Sequence, residues 1–415
     1  MKKLLIILIV LSGCYRNSDS IDAMVAIQIS DRNGLTETIS HPDRLSVFEE
    51  TDFLSSQPYQ KVLRVYRQDG KNHSKITTYH PNGTVWQYLE AEEMRAHGAY
   101  KEWHANGVLK VEATVIGGTA DVTGSSQRDW LFDGVCRVWN EKGVLVAEIL
   151  YEKGNLEGTT KHFYPTGELK KELLYVNHML DGDAIEYYPN GSIKSQSHFE
   201  KDIQNGISLG IFETGAVAWQ ETWKQGRIWQ AAYFDKMGGS LTSVNEGEGF
   251  RVVYDEGGIK QYIQIKNGLE EGLVKNFNKE GQLQSVVEIK NGKKQGEETI
   301  YFPNMKPKIQ IQWVENAIHG IAKTWYDNGQ IRSEREYNRN KKMGSSFAWY
   351  KNGSIMLVEE YEDDNLVKGS YYKKGSKEPV STIQNGTGIA HLFDEEGILL
   401  RKVHYQKGRA QDPEN

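Results

Sequence analysis

Trp325 to Tyr337 reads W-Y-D-N-G-Q-I-R-S-E-R-E-Y, with Gly320 shortly before it and Gly329 near its middle. Ile331 and Tyr337 are separated by an even number of residues, so a strand through them places both on one face. Glu334 and Glu336 then point to the other face. Asn328-Gly329 is a strong signal for a tight hairpin turn, in which both central residues need φ > 0. The stretch therefore describes two short strands around a turn, with one apolar face and one charged face.

The same pattern recurs along the chain, and internal repetition decides the fold before local propensity does. Counting from the turn glycine as position 0, equivalent glycines fall at Gly83, Gly107, Gly143, Gly167, Gly191, Gly215, Gly239, Gly257, Gly281, Gly329, Gly353, Gly375 and Gly397, with Met305 filling one slot. Nine of the thirteen spacings equal 24 residues, so the repeat is not a chance pattern. A spacing of 36 marks an insertion around Gly117 to Asp129, expected to be a longer loop, and one of 18 marks a shortened unit near Gly247. Position −4 carries a large residue, as in Tyr79, Trp103, Phe163, Tyr187, Trp325, Trp349 and Tyr371. Position −9 is glycine in ten units, among them Gly98, Gly182 and Gly320. A second turn, as at Asn267-Gly268, returns the chain to the next unit. The expected fold class is all-β: an elongated array of about fourteen antiparallel β-hairpin repeats with a 24-residue period, stacked neighbour on neighbour. Strand twist predicts that this single sheet is curled or superhelical rather than flat.

Composition agrees. The chain has 415 residues, of which 38% are hydrophobic, 26% charged and 11% aromatic, with 41 glycines and a mean hydropathy of −0.61. That is too little apolar content for two or three globular cores, yet too many aromatics for a disordered chain. A layer of stacked hairpins needs only a stripe of large residues. The net charge of −6 speaks against a general nucleic-acid binder. Two cysteines cannot supply a disulfide framework.

Met1 to Cys14 reads M-K-K-L-L-I-I-L-I-V-L-S-G-C. Lys2 and Lys3 precede an apolar run, Leu4 to Leu11, that is too short to span a bilayer and fits a signal peptide. Leu11-Ser12-Gly13-Cys14 resembles the lipobox of bacterial lipoproteins. That resemblance implies cleavage before Cys14, lipidation of Cys14, and attachment to a membrane through several acyl chains, since one chain binds only marginally. Tyr15 after the cysteine implies, by lipoprotein sorting rules, the outer membrane of a Gram-negative cell rather than the inner one. The expected organisation is a signal peptide over 1–13, a lipidated tether over 14–22, an N-terminal β cap over 23–65, the array over 66–408 and a polar tail over 409–415.

Trp325 to Tyr337, Tyr187 to Ile193 (Y-Y-P-N-G-S-I) and Trp349 to Ile355 (W-Y-K-N-G-S-I) resemble the bacterial variant of the MORN repeat, and His97-Gly98 and His319-Gly320 are similar to its His-Gly step. The resemblance spans roughly residues 66 to 408 and departs from the pattern at Met305-Lys306-Pro307 and in the units near Gly257, Gly375 and Gly397. It implies a scaffold or interaction module. It also implies two alternatives, an antitoxin-like protein or a phospholipid-binding repeat protein.

Catalytic signals are sparse. Gly206-Ile207-Ser208-Leu209-Gly210 fits G-x-S-x-G, but a nucleophile elbow needs a strand-to-helix turn, and here Gly206 is the −9 repeat glycine while Ser208 fills the slot of Ala184, Ala322 and Ser346. The histidines show no H-x-x-x-H spacing, so no metal site is expected. Cys136, in V-C-R-V-W, reads as a small packed side chain. Glu362-Asp363-Asp364 reads as a solvated turn. No cofactor is expected and no enzymatic activity. Tyr188, Phe212, Tyr326 and Tyr350, at position −3 beside the aromatic stripe, are expected to face outward and to form a binding surface. The function these features predict is a lipid-anchored cell-envelope scaffold that binds an unidentified protein or envelope component and no nucleic acid. A structural spacer of the envelope or surface layer is the alternative.

Overall fold

The structure, a computed structural model, describes residues 24–67, 72–255 and 258–411. The expected signal peptide, Cys14, the tether and the turn at Gly257 lie outside the described residues. Strand accounts for 64% of the described residues and helix for 3%. The chain divides into two units, Met1–Ile203 and Gln204–Asn415. Within each, successive strands pair antiparallel in an open sheet not closed into a barrel. This is the hairpin-repeat array that the 24-residue period predicts.

The hairpin quoted above shows how one unit is built. Gly320–Trp325 pairs with Ile331–Asn338, with Ala322 opposite Arg335 and Trp325 opposite Ile331. At the turn the Tyr326 N–H donates to Gln330 O and the Gly329 N–H to Tyr326 O, each at 2.9 Å. Gly329 has φ 94°, whereas Asn328 is not left-handed. The loop is thus a type I turn closed by a left-handed glycine with its bulge. The same holds at Asn82, Asn190 and Asn352, where the glycine alone has positive φ. This corrects the expectation of two left-handed residues at each Asn-Gly. Two consecutive positive-φ residues occur instead at the opposite end of the hairpins, as in Arg339–Asn340 (47°, 71°) and Asp363–Asp364 (46°, 68°). Four-residue turn geometry also moves one landmark. Asp235 N donates to Gly239 O and Gly238 N to Asp235 O, so Gly238, at φ 84°, fills the slot assigned to Gly239.

The core runs through the middle of each hairpin, where position −7 faces position +6. Those pairs are Tyr100–Ala113 and Cys136–Ile149 in the first unit, and Ser208–Glu221 and Ser346–Glu359 in the second. Glu221 and Glu359 are buried, and each is satisfied by aromatic donors. Tyr233 Oη and Trp223 Nε1 donate to the Glu221 carboxylate at 2.8 and 2.9 Å, with Arg251 Nε at 3.0 Å. Tyr371 and Tyr361 donate to Glu359 at 2.9 and 3.1 Å. Burial, reinforced by the neighbouring carboxylate, raises the phenol pKa of Tyr233 and Tyr371, so both remain donors at neutral pH.

Consecutive units are fastened at both hairpin ends. At the two-residue turns, Asn340 N donates to Ile318 O (2.8 Å) while its Oδ1 accepts from Ile318 N (2.7 Å). Asp364 treats Lys342 in the same way, and Asn316 treats Lys294. The acidic turn Asp363–Asp364 is therefore a fastening and not merely a solvated corner. At the glycine turns, Asn82 Nδ2 donates to Ala105 O and Asn106 Nδ2 to Glu141 O, both at 2.9 Å. Asparagine at position −1 thus reaches the −2 carbonyl of the next unit, which is a reason for Asn-Gly that has nothing to do with left-handed backbone.

At the N-terminal end the repeat is elaborated twice. Met24–Ser30 pairs with Thr36–Ile39 and with Lys61–Arg67, and Ile27, Ile39, Leu45, Val62 and Val65 pack with Tyr79 and Val85 of the first hairpin. The insertion folds back on the sheet rather than looping free. Its Ala120, Val122 and Trp130 join Ile76, Leu89, Ala96 and Tyr100 in one buried cluster. A single helical turn, Gly124–Gln127, begins at Thr123, whose Oγ1 accepts from Ser126 N.

Candidate functional site

These two elaborations wall a cleft of about 950 Å³ in the first unit. Ser30, Arg32 and Gly34 come from the cap and Lys61 from its last strand, while Thr123, Gly124 and Gln127 come from the insertion. The floor belongs to the first hairpins: His80, Trp86, Gln87, Glu102 and Lys110. Trp86, on the strand Val85–Glu92, is 42% exposed. Its ring stacks on the His80 imidazole, with centroids 5.5 Å apart and planes 28° apart. His80 is fixed in turn, because its Nε2 donates to Trp103 O at 2.9 Å.

The polar groups around the indole are held in pairs. Lys61 Nζ meets Asp121 Oδ1 at 2.9 Å, and Lys110 Nζ meets Glu102 Oε1 at 2.6 Å. Burial pushes the Asp121 carboxyl up, but Lys61 and the N–H groups of Val122 and Thr123 outweigh it and hold the carboxyl below its ordinary pKa. Tyr100 Oη donates to Glu102 Oε2 at 2.9 Å and accepts from the side-chain amides of Gln87 and Gln127. Burial, then the Glu102 charge, raises this phenol and keeps its proton in place. Gln87 is buried and accepts from Thr78 Oγ1. The cleft thus offers one exposed indole, backed by His80 and with Tyr79 also in the lining, ringed by oriented donors and acceptors; Lys61 and Lys110 are paired and Arg32 is bound to a backbone carbonyl.

The residues expected to face outward do not form such a site. Tyr326 is 4% and Tyr350 0% exposed, and Tyr188 and Phe212 are half-buried. The reason is that the strand ends at position −4, as at Trp325 and Trp349, so the two-residue alternation does not carry over to −3. The ring at −3 instead folds onto the next unit. Tyr326 Oη donates to Trp349 O at 2.9 Å, and Tyr350 Oη to Tyr372 O at 2.7 Å. Phe212 meets Tyr254 edge-on at 5.5 Å. The acceptor for Tyr350 also shows that Tyr372, not Tyr371, takes the −4 role in that irregular unit: the register shifts just before Tyr372, as it does just before Trp349.

Ser208 lies within the strand Gly206–Ile211 and is 1% exposed, and its hydroxyl accepts from Gln204 Nε2 at 2.9 Å. No strand-to-helix turn is present there. Cys136 is buried in the first unit's core, and burial raises its thiol pKa. The sequence reading missed Trp86. Position +3 is basic in six of the fourteen units, among them Lys110, Lys170, Lys308 and Arg332, and is tryptophan only at Trp86. Three of these cations lie over the −3 ring, as in Lys170 on Tyr164, Lys308 on Phe302 and Arg332 on Tyr326. In the first hairpin the order is inverted, with imidazole at −3 and indole at +3.

Four segments match the MORN repeat variant: residues 96–116, 156–177, 180–201 and 318–339. Antiparallel hairpins of the same kind extend beyond those four segments, as where Gly206–Ile211 pairs with Val217–Lys224. No curated protein matches the chain. Among solved structures, a TcdB2–TccC3 complex is similar over 94% of this chain and 25% of that one, at 10% identity and a TM-score of 0.14. The Photorhabdus luminescens Tc holotoxin pore matches at 10% identity over 94% and 24%, with a TM-score of 0.13. A eukaryotic initiation factor matches at 11% identity over 84% and 98%, with a TM-score of 0.15. The chain spans about a quarter of the length of the toxin chains. With TM-scores this low, none of these likenesses bears on function.

Proposed function

We propose that this protein is a lipid-anchored cell-envelope scaffold whose MORN-type array carries a binding site for another molecule. The observation that carries the binding reading is the cleft around Trp86. It is built by the cap and the insertion, the two segments that break the 24-residue repeat, and the Trp86 indole on its floor is 42% exposed. The MORN matches and the repeat-rich β structure fit a binding or scaffold role. Anchoring is supported by the sequence from Lys2 to Cys14. Labelled palmitate should mark the wild type and not Cys14→Ser; equal labelling of both would overturn the anchor.

If the cell is Gram-negative, Tyr15 favours its outer membrane over the inner one. Crosslinked capture from intact cells should retain a defined partner with the wild type and lose it when the cleft is altered. A second reading, a structural spacer, is favoured by fastenings that repeat at a constant offset. Deleting residues 156–203, two whole periods outside the cleft, separates the two: a spacer's function shifts with its shortened reach, whereas a binding function that depends on the cleft is unchanged.

A further inference from the structure

We propose that the cleft around Trp86 is a carbohydrate-binding site in which the indole is the platform for a sugar ring. The proposal rests on the binding reading above but not on the membrane anchor.

Four observations converge on this ligand class. One face of the Trp86 ring is taken by His80, so the indole is held in one orientation, and its exposed surface looks into the cleft it lines. The apolar C–H face of a pyranose matches a fixed, single aromatic plane. A cationic amine would call instead for a cage of several rings, and the cleft has one indole.

The polar groups beside the ring include donors and acceptors without a large net charge. Gln127, Thr123 and Ser30 are neutral, Lys61 and Lys110 are each neutralised by a carboxylate, and Arg32, whose Nε donates to Pro58 O, is the one lining cation without an ion pair among the described residues. A phosphate or an acidic peptide would be met by a cluster of unpaired cations rather than by one. Neighbouring hydroxyls of a sugar, each both donor and acceptor, suit a lysine–carboxylate pair such as Lys110–Glu102 on the floor.

These polar groups are also rigid before any ligand arrives. Glu102 is held by Tyr100, Tyr100 by Gln87 and Gln127, and Asp121 by Lys61. Such pre-organisation lowers the entropy lost on binding. Finally, a volume of about 950 Å³ lies at the upper end of what small-ligand clefts enclose and accommodates more than one sugar unit.

The test uses the full chain bearing Cys14→Ser, titrated calorimetrically with cellotetraose, maltotetraose and chitotetraose, and separately with inorganic phosphate and phosphatidylglycerol vesicles. At least one tetraose should bind. Trp86→Ala should weaken it by about tenfold or more, the scale on which a ring stacked on an aromatic side chain contributes, and Trp86→Phe by less. Trp229→Ala, which removes an exposed indole of the second unit, should leave affinity unchanged. Lys110→Gln, which frees Glu102, should weaken binding with little change in the melting curve. That variant keeps the proposal open to refutation if Trp86→Ala fails to fold. Binding of no tetraose, binding undiminished in Trp86→Ala and Lys110→Gln, or binding of phosphate or vesicles alone would overturn it. A macromolecular partner that is still captured by Trp86→Ala would leave the scaffold reading standing while the saccharide site falls.

Discussion

Replacing Asn340 tests whether the units are held together at their two-residue turns. Its backbone is left-handed, and its side chain accepts from Ile318 N at 2.7 Å. Ile318 sits beside the closing pair Val314–Ala317 of its own hairpin, opposite Trp313. Pairs alternate along an antiparallel ladder, so the Ile318 N–H points out of its hairpin and depends on Asn340. Asn340→Ala loses both features. Forcing alanine into the left-handed region costs about 1 kcal/mol, and leaving a half-buried N–H unsatisfied costs a further ~1–2 kcal/mol. The expected loss is therefore about 2–3 kcal/mol in local stability. Asn340→Gly keeps the backbone at ease and loses only the acceptor, about 1–2 kcal/mol. Asn340→Asp keeps both and should fall within about 0.5 kcal/mol of wild type.

Hydrogen exchange is the decisive assay, because a stacked array unfolds region by region. The Ile318 amide should exchange about tenfold faster in Asn340→Gly and faster still in Asn340→Ala, a factor of ten corresponding to ~1.4 kcal/mol. Amides of the first unit should not change. Equal protection of Ile318 in all three variants would refute the fastening, and identical losses in Gly and Ala would refute the cost assigned to the left-handed backbone.

Two further outcomes follow from the glycine-turn ends. Tyr350→Phe should destabilise the second unit by about 1–2 kcal/mol in urea, because the Tyr372 carbonyl loses its donor and the residue opposite Tyr372 is Pro379, which has no N–H. Burial, then Asp394, pushes the Tyr350 phenol up to about 12. The folded state therefore holds the proton more tightly than the unfolded state does. This contribution is complete below pH ~10, the ordinary phenol value, and is lost as pH rises towards 12; alkaline melts of wild type and Tyr350→Phe should converge there. Met305 holds a left-handed backbone (φ 63°) at a landmark slot and is 51% exposed. Met305→Gly should raise the urea midpoint by the equivalent of about 0.5–1 kcal/mol; a lower midpoint would refute the reading of that turn.

Much of this fold is legible in the chain. The recurrence of glycine, aromatic and Asn-Gly at fixed offsets gives the hairpins and their number, because each depends on neighbours within one strand or turn. The fastenings were not legible, because they join residues more than twenty positions apart, such as His80 with Trp103 or Asn340 with Ile318. Outward placement of Tyr326 and Tyr350 followed from an alternation that stops one residue earlier, where the strand ends. The Asn-Gly turns misled in a similar way: the asparagine is there for its side-chain amide, and glycine alone carries the left-handed backbone. The cleft was hidden for a different reason. Its walls are the two segments without a repeat, where periodicity has nothing to say, and the floor residue Trp86 sits at a position that varies widely between units, from Lys110 to Val146 to Met356.

The constant offset of the fastenings gives the array a mechanical character. Each unit is held to the next along one shared strand edge, as Ile331–Asn338 is to Lys341–Trp349, with turn fastenings at its ends. Under a pull applied at its two ends, such a chain yields one hairpin at a time. Each release of one 24-residue period adds at most about 80–85 Å of contour.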